Sequence, residues 1–350
     1  MTPDTVRGCL LGVAVADALG LPYEGLSPRR AARLLGPPTR HRLLFGRGMV
    51  SDDTDHALLV LTALTRAEGD PERFRDALGR GLARWFLGLP AGVGLATLRA
   101  CCKLLVGVPA SRSGVVSAGN GPAMRAPLLG LVASTDDALL PWVEASTAPT
   151  HRDPRALHGA LAIALAARLA ATHDDPSDGS YSKRLRRLLP PDADPLLLDR
   201  IEHAERSVTD GASTATYSRE LGFESGVGGF VLDSVPVALH AWLAHPTDYR
   251  AAVEAVITCG GDADTTAAMT GGIVGARVGA EVLPTDLLDG LLEHPCTVAW
   301  MTAQADRLHR TLTGEHDPAP SLPVLRRLPR NLFQLAVVLT HGFRRLFPPY

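Results

Sequence analysis

The protein has 350 residues, of which 46% are hydrophobic and 21% are charged, and its formal net charge is −2. This composition excludes a disordered chain, a collagen and a small disulfide-stabilised scaffold. The near-neutral charge argues against nucleic acid as the main partner, because binding to phosphates needs a net excess of Lys and Arg. The five cysteines form no Cys-x-x-Cys pair, so we predict reduced thiols, no zinc finger and a cytoplasmic location.

The chain opens with an apolar stretch at 8–21 that resembles a signal sequence in composition. Asp17 interrupts the stretch, and too few residues precede it to form a basic region, so we interpret it as part of the mature fold. No run of eighteen or more apolar residues occurs, and the sequence therefore predicts no membrane span.

Apolar runs rich in Ala and Leu follow at helical length, at 57–65, 157–171, 235–243 and 267–283. Stretches rich in Gly, Pro and Ser separate the runs, at 36–48, 87–94, 107–127, 173–195 and 314–323. Because no alternating strand pattern appears and no break resembles an interdomain linker, the sequence predicts an all-α fold. We expect one compact multi-helix domain over residues 1–312.

A basic amphipathic helix is predicted in the C-terminal extension, residues 313–350. Five arginines flank the apolar residues 332–339: Arg326, Arg327, Arg330, Arg344 and Arg345. Such a helix can dock on anionic lipid or on a partner protein, or it can pack as a terminal helix on its own domain. The sequence leaves these alternatives open.

Two predicted helices carry a small residue at every fourth position, which gives each of them one nearly bare face. A helical Gly costs about 1 kcal/mol relative to Ala, so several in a row imply a compensating close approach of another helix. The first stripe comprises Gly8, Gly12, Ala16 and Gly20, and the second comprises Ala267, Gly271, Gly275 and Gly279.

Acidic residues gather at the ends of these helices. Asp17 and Glu24 follow the first stripe, and Asp262, Asp264 and Thr265 precede the second. A third acidic group opens the helix that begins near residue 51. Capping of free N–H groups is one explanation for such residues. Like charges brought together also repel, and a divalent cation relieves that repulsion; oxygen ligands without His or Cys suit Mg²⁺ or Mn²⁺. The two candidate ligand groups are Ser51, Asp52 and Asp53, and Asp262, Asp264 and Thr265.

Two glycine-rich loops have the composition of phosphate-binding turns, although turns need Gly and Asn in any case. One contains Gly92 and Gly94, and the other contains Ser117 and Asn120. The chain has no metalloprotease, P-loop, nucleophile-elbow or dinucleotide-binding motif. His56, His158 and His240 stand in apolar surroundings and are interpreted as core or surface residues.

Five motifs, read together and in order, resemble the ADP-ribosylglycohydrolase family over about residues 7–281. They are Gly8-x3-Gly12-x-Ala14-x2-Asp17-Ala18-x-Gly20-x-Pro22-x-Glu24, Ser51-Asp-Asp-Thr54, Gly119-Asn-Gly-x-Ala-Met-Arg125, Thr150-His-x-Asp-Pro154 and Gly260-Gly-Asp-x-Asp-Thr265. The resemblance implies a compact all-α domain with two divalent ions, Mg²⁺ or Mn²⁺, and hydrolysis of a bond to C1″ of ADP-ribose.

The same resemblance implies roles for individual residues. Glu24 would be the catalytic residue, and the two acidic groups named above would hold the ions. Six residues would bind the substrate: Gly92, Gly94, Ser117, Asn120, Gly121 and His151. Two alternatives remain open, namely a family member that binds ADP-ribose without catalysis or has a structural role, and a metal-dependent nucleotide phosphohydrolase.

Overall fold

The structure is a computed structural model and describes residues 1–174, 180–315 and 324–348, without the side chains of 324 and 325. These residues form helices joined by loops, and the extended pairing among them is limited to isolated bridges. One large hydrophobic core runs through the molecule from the first helix to Leu308. The prediction of a compact all-α fold is therefore confirmed.

The helices of the first part of the chain precede residue 150. They are α1 (Pro3–Gly20), α2 (Pro28–Leu34), α3 (Asp52–Ala67), α4 (Pro71–Phe86), α5 (Leu95–Leu105), α6 (Ala110–Ser113), α7 (Gly121–Met124), α8 (Pro127–Gly130) and α9 (Leu139–Thr147). The later helices are α10 (Pro154–Ala171), α11 (Ser180–Leu188), α12 (Pro195–Thr209), α13 (Thr214–Glu220), α14 (Val231–Ala244), α15 (Tyr249–Ile257), α16 (Ala263–Val278), α17 (Thr285–Gly290), α18 (Val298–Leu312) and α19 (Val324–Arg344). Short 3₁₀ turns follow α1 and α16, at Leu21–Tyr23 and Ala280–Val282.

The two small-residue stripes pack against each other, as the sequence predicts. A Cβ atom built on Gly12 would lie 2.3 Å from the carbonyl oxygen of Gly271, and one built on Gly275 would lie 2.2 Å from the carbonyl oxygen of Gly8. Only a bare backbone fits at such distances. Because Gly8 faces Gly275 while Gly20 faces Ala263, α1 and α16 run antiparallel, and the end of α1 meets the start of α16.

Most of the predicted helical runs lie inside observed helices, but the limits predicted for one run and for two breaks are wrong. The runs at 57–65, 157–171 and 235–243 fall within α3, α10 and α14. The run at 267–283 is interrupted, because Gly279 adopts a left-handed φ of 80° that ends α16. The predicted breaks at 173–195 and 107–127 contain helices, α11 in the first and α6 and α7 in the second. The predicted break at 314–323 lies almost wholly outside the described residues.

The first helix, together with its 3₁₀ turn, is the core helix of the domain. Within the described part of the chain, Pro3–Tyr23 is the one segment long and apolar enough to cross a membrane by length and composition. Inside this molecule, 94% of the 18-residue apolar window of this segment is buried. The structure therefore uses its apolar surface for packing against α16, α18 and α3.

The C-terminal helix α19 packs on the domain through its polar side chains. Arg327, Arg330 and Gln334 are buried, whereas Leu339 and Phe343 are 63% and 64% exposed. Buried ion pairs join Arg327 to Asp55 and Arg330 to Glu293. The described residues of the C-terminal extension pack on their own domain, which is one of the alternatives left open by the sequence. Binding of the extension to lipid or to a partner stays a prediction. The domain limit at 312 also stays a prediction.

Candidate functional site

Three buried carboxylates from three helices converge near the meeting point of α1 and α16. Asp17 lies in α1, Asp53 in the first turn of α3, and Asp264 in the first turn of α16. One oxygen from each lies within 4.8 Å of one from each of the others, and the residues are at most 4% exposed. This spacing suits a shared metal ion.

The start of α3 is fixed by Asp17 and by its own capping residue. The carboxylate of Asp17 accepts hydrogen bonds from the backbone N–H groups of Ser51 at 2.9 Å and Thr54 at 3.1 Å. Ser51 is the N-cap of α3, and its hydroxyl donates to Asp53 Oδ2 at 3.0 Å. Thr265 donates to the same oxygen at 3.2 Å, which links α3 to α16. These bonds hold the first turn of α3 against the first turn of α16.

The electrostatics of the cluster favour a bound cation. Burial raises the pKa of Asp17 to about 7 and raises the pKa values of Asp53 and Asp264 well above the usual range, and neighbouring carboxylates add to both of these latter shifts. The buried Oδ1 of Asp53 has no hydrogen-bond partner among the described residues. A buried oxygen without a donor is costly, and a divalent cation supplies the missing interaction.

The remaining predicted acidic residues border the cluster. Asp262 accepts a hydrogen bond from the Asn120 side chain at 2.7 Å, and its charge contributes to the raised pKa of Asp53. Glu24 stands at the solvent-exposed rim; dehydration by surrounding atoms and the charge of Asp262 raise its pKa. The charge of Glu24 in turn raises the pKa values of Asp52 and Asp264. The predicted metal and catalytic residues therefore share one electrostatic environment.

The first predicted substrate loop reaches the acidic cluster through Gly92. A Cβ atom built on Gly92, whose φ is +79°, would lie 3.5 Å from Oδ1 of Asp52. Gly94 is the N-cap of α5, and Thr97 lies in the first turn of that helix. The hydroxyl of Thr97 is 3.8 Å from the Cβ position of Gly121, so this loop also borders the second one.

The second predicted loop lies over the ring of His151. Ser117 accepts a hydrogen bond from the N–H of Gly119 at 3.3 Å. The Cε1 atom of His151 lies 3.0 Å from a Cβ atom built on Gly121, and its Nε2 atom lies 3.3 Å from one built on Gly119. Asn120 then links this loop to Asp262, as described above. All six predicted substrate residues thus lie in loops that border the acidic cluster or in the wall behind them.

The buried side chain of Arg125 positions His151 through Thr150. Arg125 is completely buried and donates to Thr150 Oγ1 at 2.7 Å, to the carbonyl of Ser146 at 2.6 Å and to His56 Nδ1 at 3.1 Å. Thr150 is in turn hydrogen-bonded to Nδ1 of His151 at 2.9 Å. Burial, reinforced by the charge of Arg125, lowers the pKa of His151 to about 3. The His151 ring is therefore neutral at physiological pH.

Sequence reasoning left two of these residues without a role. The sequence places Asp17 at the end of a stripe but does not predict it as a ligand, whereas the structure brings it beside Asp53 and Asp264. Arg125 appeared only as the last letter of a motif. The available signal was the same for both, a charged residue inside an apolar segment, because such a residue is buried only when it is paired or binds a ligand.

The arrangement combines hard oxygen ligands with a hydrogen-bonding loop. Carboxylates and hydroxyls at the helix ends can hold divalent cations, and the loops that contain Gly92 and Asn120 offer backbone N–H groups and an amide beside them. A ligand with hydroxyl and phosphate groups fits this chemistry. Burial is the main cause of the raised pKa values in the cluster, and neighbouring carboxylates add to the shifts of Asp53 and Asp264.

Comparison with known proteins shows which family the chain resembles. The model of the ADP-ribosylglycohydrolase family matches residues 2–318. The chain is 33% identical to an uncharacterized protein of Archaeoglobus fulgidus, over 81% of this chain and 90% of that protein. It is 27% identical to the ADP-ribosyl-[dinitrogen reductase] glycohydrolase of Rhodospirillum rubrum, over 82% of this chain and 90% of the relative.

A eukaryotic relative and a solved structure extend the comparison. The chain is 29% identical to ADP-ribosylhydrolase ARH3 of Gallus gallus, over 81% of this chain and 87% of that protein. A solved structure titled ADP-ribosylglycohydrolase-related protein complex is 26% identical, with a TM-score of 0.60, and covers 89% of this chain and 98% of its own. The match of the family model over most of the sequence shows that the chain belongs to the ADP-ribosylglycohydrolase family.

Proposed function

We propose that this protein is a divalent-metal-dependent hydrolase that cleaves the bond at C1″ of ADP-ribose and so removes ADP-ribose from a modified protein or another acceptor. Membership of the family supports the hydrolytic removal of ADP-ribose. The observation that carries the metal dependence is the convergence of Asp17, Asp53 and Asp264, with a buried Asp53 oxygen that lacks a donor among the described residues. Two Mg²⁺ or Mn²⁺ ions are proposed, in a cytoplasmic protein.

The residues proposed to hold the ions are oxygen donors from three helix ends. Asp17 joins the ligands predicted from the sequence, which are Ser51, Asp52, Asp53, Asp262, Asp264 and Thr265. Bound divalent ions supply Lewis-acid polarisation and a water of lowered pKa, which is the chemistry that hydrolysis requires. The protein's own part is to fix the Asp53 carboxylate in position through the hydrogen bonds of Ser51 and Thr265.

Glu24 is proposed to handle the proton. It lies at the accessible rim of the cluster, where a substrate can reach it. Dehydration by surrounding atoms, together with the charge of Asp262, raises its pKa. A carboxyl whose pKa is raised toward neutrality can accept a proton from water and pass it to a leaving group. Positive charge that develops at C1″ would be stabilised by the surrounding carboxylates.

The glycine loops are proposed to bind the ADP-ribose moiety. Gly92 and Gly94 lie in an exposed loop and Gly121 opens α7, and their backbone N–H groups would bind the phosphates. Ser117 would add a hydroxyl, and Asn120, whose amide N–H groups donate to Ser234 and Asp262, would add its carbonyl oxygen. A neutral His151 can share a hydrogen bond with a ribose hydroxyl without adding a charge. Together these groups would orient the distal ribose toward the carboxylates.

A panel of defined substrates tests this function. ADP-ribose linked to arginine, to serine, to a nucleobase and to an acyl group is incubated with the purified protein, with and without a chelator. Chelator-sensitive release of free ADP-ribose from at least one substrate is the expected result. Binding of ADP-ribose without release would favour a binding or structural role instead, and AMP with ribose phosphate as products would favour a phosphohydrolase.

Two variants separate metal binding from proton transfer. Asp264→Asn should lose most of its divalent-ion affinity and activity, whereas Asp289→Asn, which changes an exposed aspartate of α17, should keep both. Glu24→Gln should still bind ADP-ribose but should hydrolyse the ADP-ribosylated substrate slowly. Full turnover by Asp264→Asn without added metal would refute the ligand assignment, and full turnover by Glu24→Gln would reassign the proton carrier.

A further inference from the structure

The polar face of α19 contacts the backbone just before the metal-binding turn of α3. Arg330 and Gln334 each donate a hydrogen bond at 2.6 Å to the carbonyl of Val50, the residue that precedes Ser51. Glu293 accepts the N–H of Val50 at 2.8 Å and pairs with Arg330. Both polar groups of the Val50 backbone are therefore bound to side chains, two of them from α19.

The same helix also contacts two other segments of the site. Asn331 donates to the carbonyl of Gly88 at 2.7 Å, at the start of the loop that contains Gly92. At the end of the helix, Arg345 donates to the carbonyls of Glu24 at 2.6 Å and Pro22 at 2.9 Å. Backbone positions from three separate site segments are thus held by one helix.

The orientation of α19 follows from what lies beneath it. Loops present backbone carbonyls that have no helical partner, and Asp55 and Glu293 add two buried acids. Buried acceptors of this kind need donors, so Arg327, Arg330, Asn331 and Gln334 face inward. Leu332, Leu335 and Leu339 are exposed on the outer face. The described residues of α19 lie beyond residue 318, where the match to the family model ends.

We propose that α19 is a positioning element of the active site, and that Arg345 is the positioning residue that holds the Glu24 segment against the acidic cluster. The part of this inference that concerns catalysis rests on the proposed hydrolase function. Arg345 holds the backbone of the Glu24 segment, and its charge partly offsets the rise in the pKa of the Glu24 carboxyl that burial and Asp262 cause. Its loss should misplace the Glu24 carboxylate and leave the distant substrate loops unchanged.

A pair of adjacent arginines provides a matched test in the full-length protein. Arg345→Met removes the two bonds to the Glu24 segment. Arg344→Met is the control, because Arg344 is exposed and bonds to the carbonyls of Phe347 and Pro348 at its own helix end. We expect kcat of Arg345→Met to fall by about tenfold with KM changed by less than about twofold, since small misplacements of a catalytic group are costly. Arg345→Lys, which keeps a donor, should recover part of the loss.

Hydrogen–deuterium exchange gives a readout that does not depend on activity. The N–H groups of Gly25 and Leu26 are hydrogen-bonded to Gly261 and Tyr23, so loosening of this segment is measurable. Exchange over residues 22–26 should be faster in Arg345→Met and unchanged in Arg344→Met. Unchanged exchange, or faster exchange with wild-type kcat, would overturn the inference. If the wild-type protein releases no ADP-ribose from any substrate, the proposed function fails, and the exchange result alone decides whether Arg345 holds the segment.

Discussion

Replacement of Gly275 by alanine tests whether the bare contact between α1 and α16 stabilises the fold. A Cβ atom at this position would lie 2.2 Å from the carbonyl oxygen of Gly8, 2.9 Å from its carbonyl carbon and 3.2 Å from Cα of Gly12. All three are backbone atoms of α1, so no side chain can turn aside. The two helices would have to separate by about 1 Å to restore ordinary contact.

The cost can be estimated from two opposing terms. Overpacking of a buried contact that forces a backbone shift costs about 1–3 kcal/mol, and more in some cases. Alanine returns up to about 1 kcal/mol through its higher helix propensity. Because all three clashing atoms are backbone, the upper part of the first range applies, and we expect Gly275→Ala to lower the free energy of unfolding by about 2 kcal/mol. That is a sizeable share of the roughly 5–15 kcal/mol that stabilises a typical domain.

Urea unfolding followed by far-UV circular dichroism measures this difference. Gly81→Ala is the control, because Gly81 also lies inside a helix but its Cβ would meet only the end of the Leu59 side chain, at 3.0 Å. That control should unfold at the wild-type urea concentration or above it, and Gly275→Ala clearly below it. Equal midpoints for Gly275→Ala and the wild type would show that the helices are not held as close as described.

Three further outcomes are expected. Mg²⁺ or Mn²⁺ at about a hundredfold excess over its Kd should raise the free energy of unfolding by about 2.7 kcal/mol, seen as a higher melting temperature that Asp53→Asn lacks. His240 is buried and its pKa is lowered to about 4, so it stabilises the fold only while neutral; urea midpoints should drop between about pH 7 and about pH 5, by less in His240→Gln. Tyr249→Phe removes the hydroxyl that donates to the Gly12 carbonyl at 2.6 Å and should cost about 1 kcal/mol in the same unfolding assay; no loss would show that water replaces this bond.

The pairing of α1 with α16 was predictable because a stripe of small residues at every fourth helical position favours close packing against another helix. A helix face made of Gly8 and Gly12 has little apolar surface to bury, so only another bare helix makes such a face favourable. Once the stripes meet, the acidic residues at their ends must also meet. This part of the candidate site therefore follows from residue spacing.

The inward face of α19 could not be predicted in the same way. An amphipathic helix usually buries its leucines, yet here Leu339 is exposed and Arg330 is buried. The reason lies in distant residues, Asp55 and Glu293, and in loop carbonyls whose position depends on the whole fold. The end of α16 at Gly279 was missed for a different reason, since glycine serves equally in a packing stripe and in a left-handed helix end.

Because α1 lies near one end of the chain and α16 near the other, biosynthesis completes their contact late. During translation, the first helix leaves the ribosome long before its glycine-lined neighbour has been made, and its apolar surface stays uncovered in the meantime. A truncated polypeptide that stops before Asp264 would lack α16, and with it the central helix pair and the third carboxylate of the acidic cluster. Such a chain would leave the apolar surface of α1 uncovered, the condition under which chaperones and proteases act on incomplete proteins.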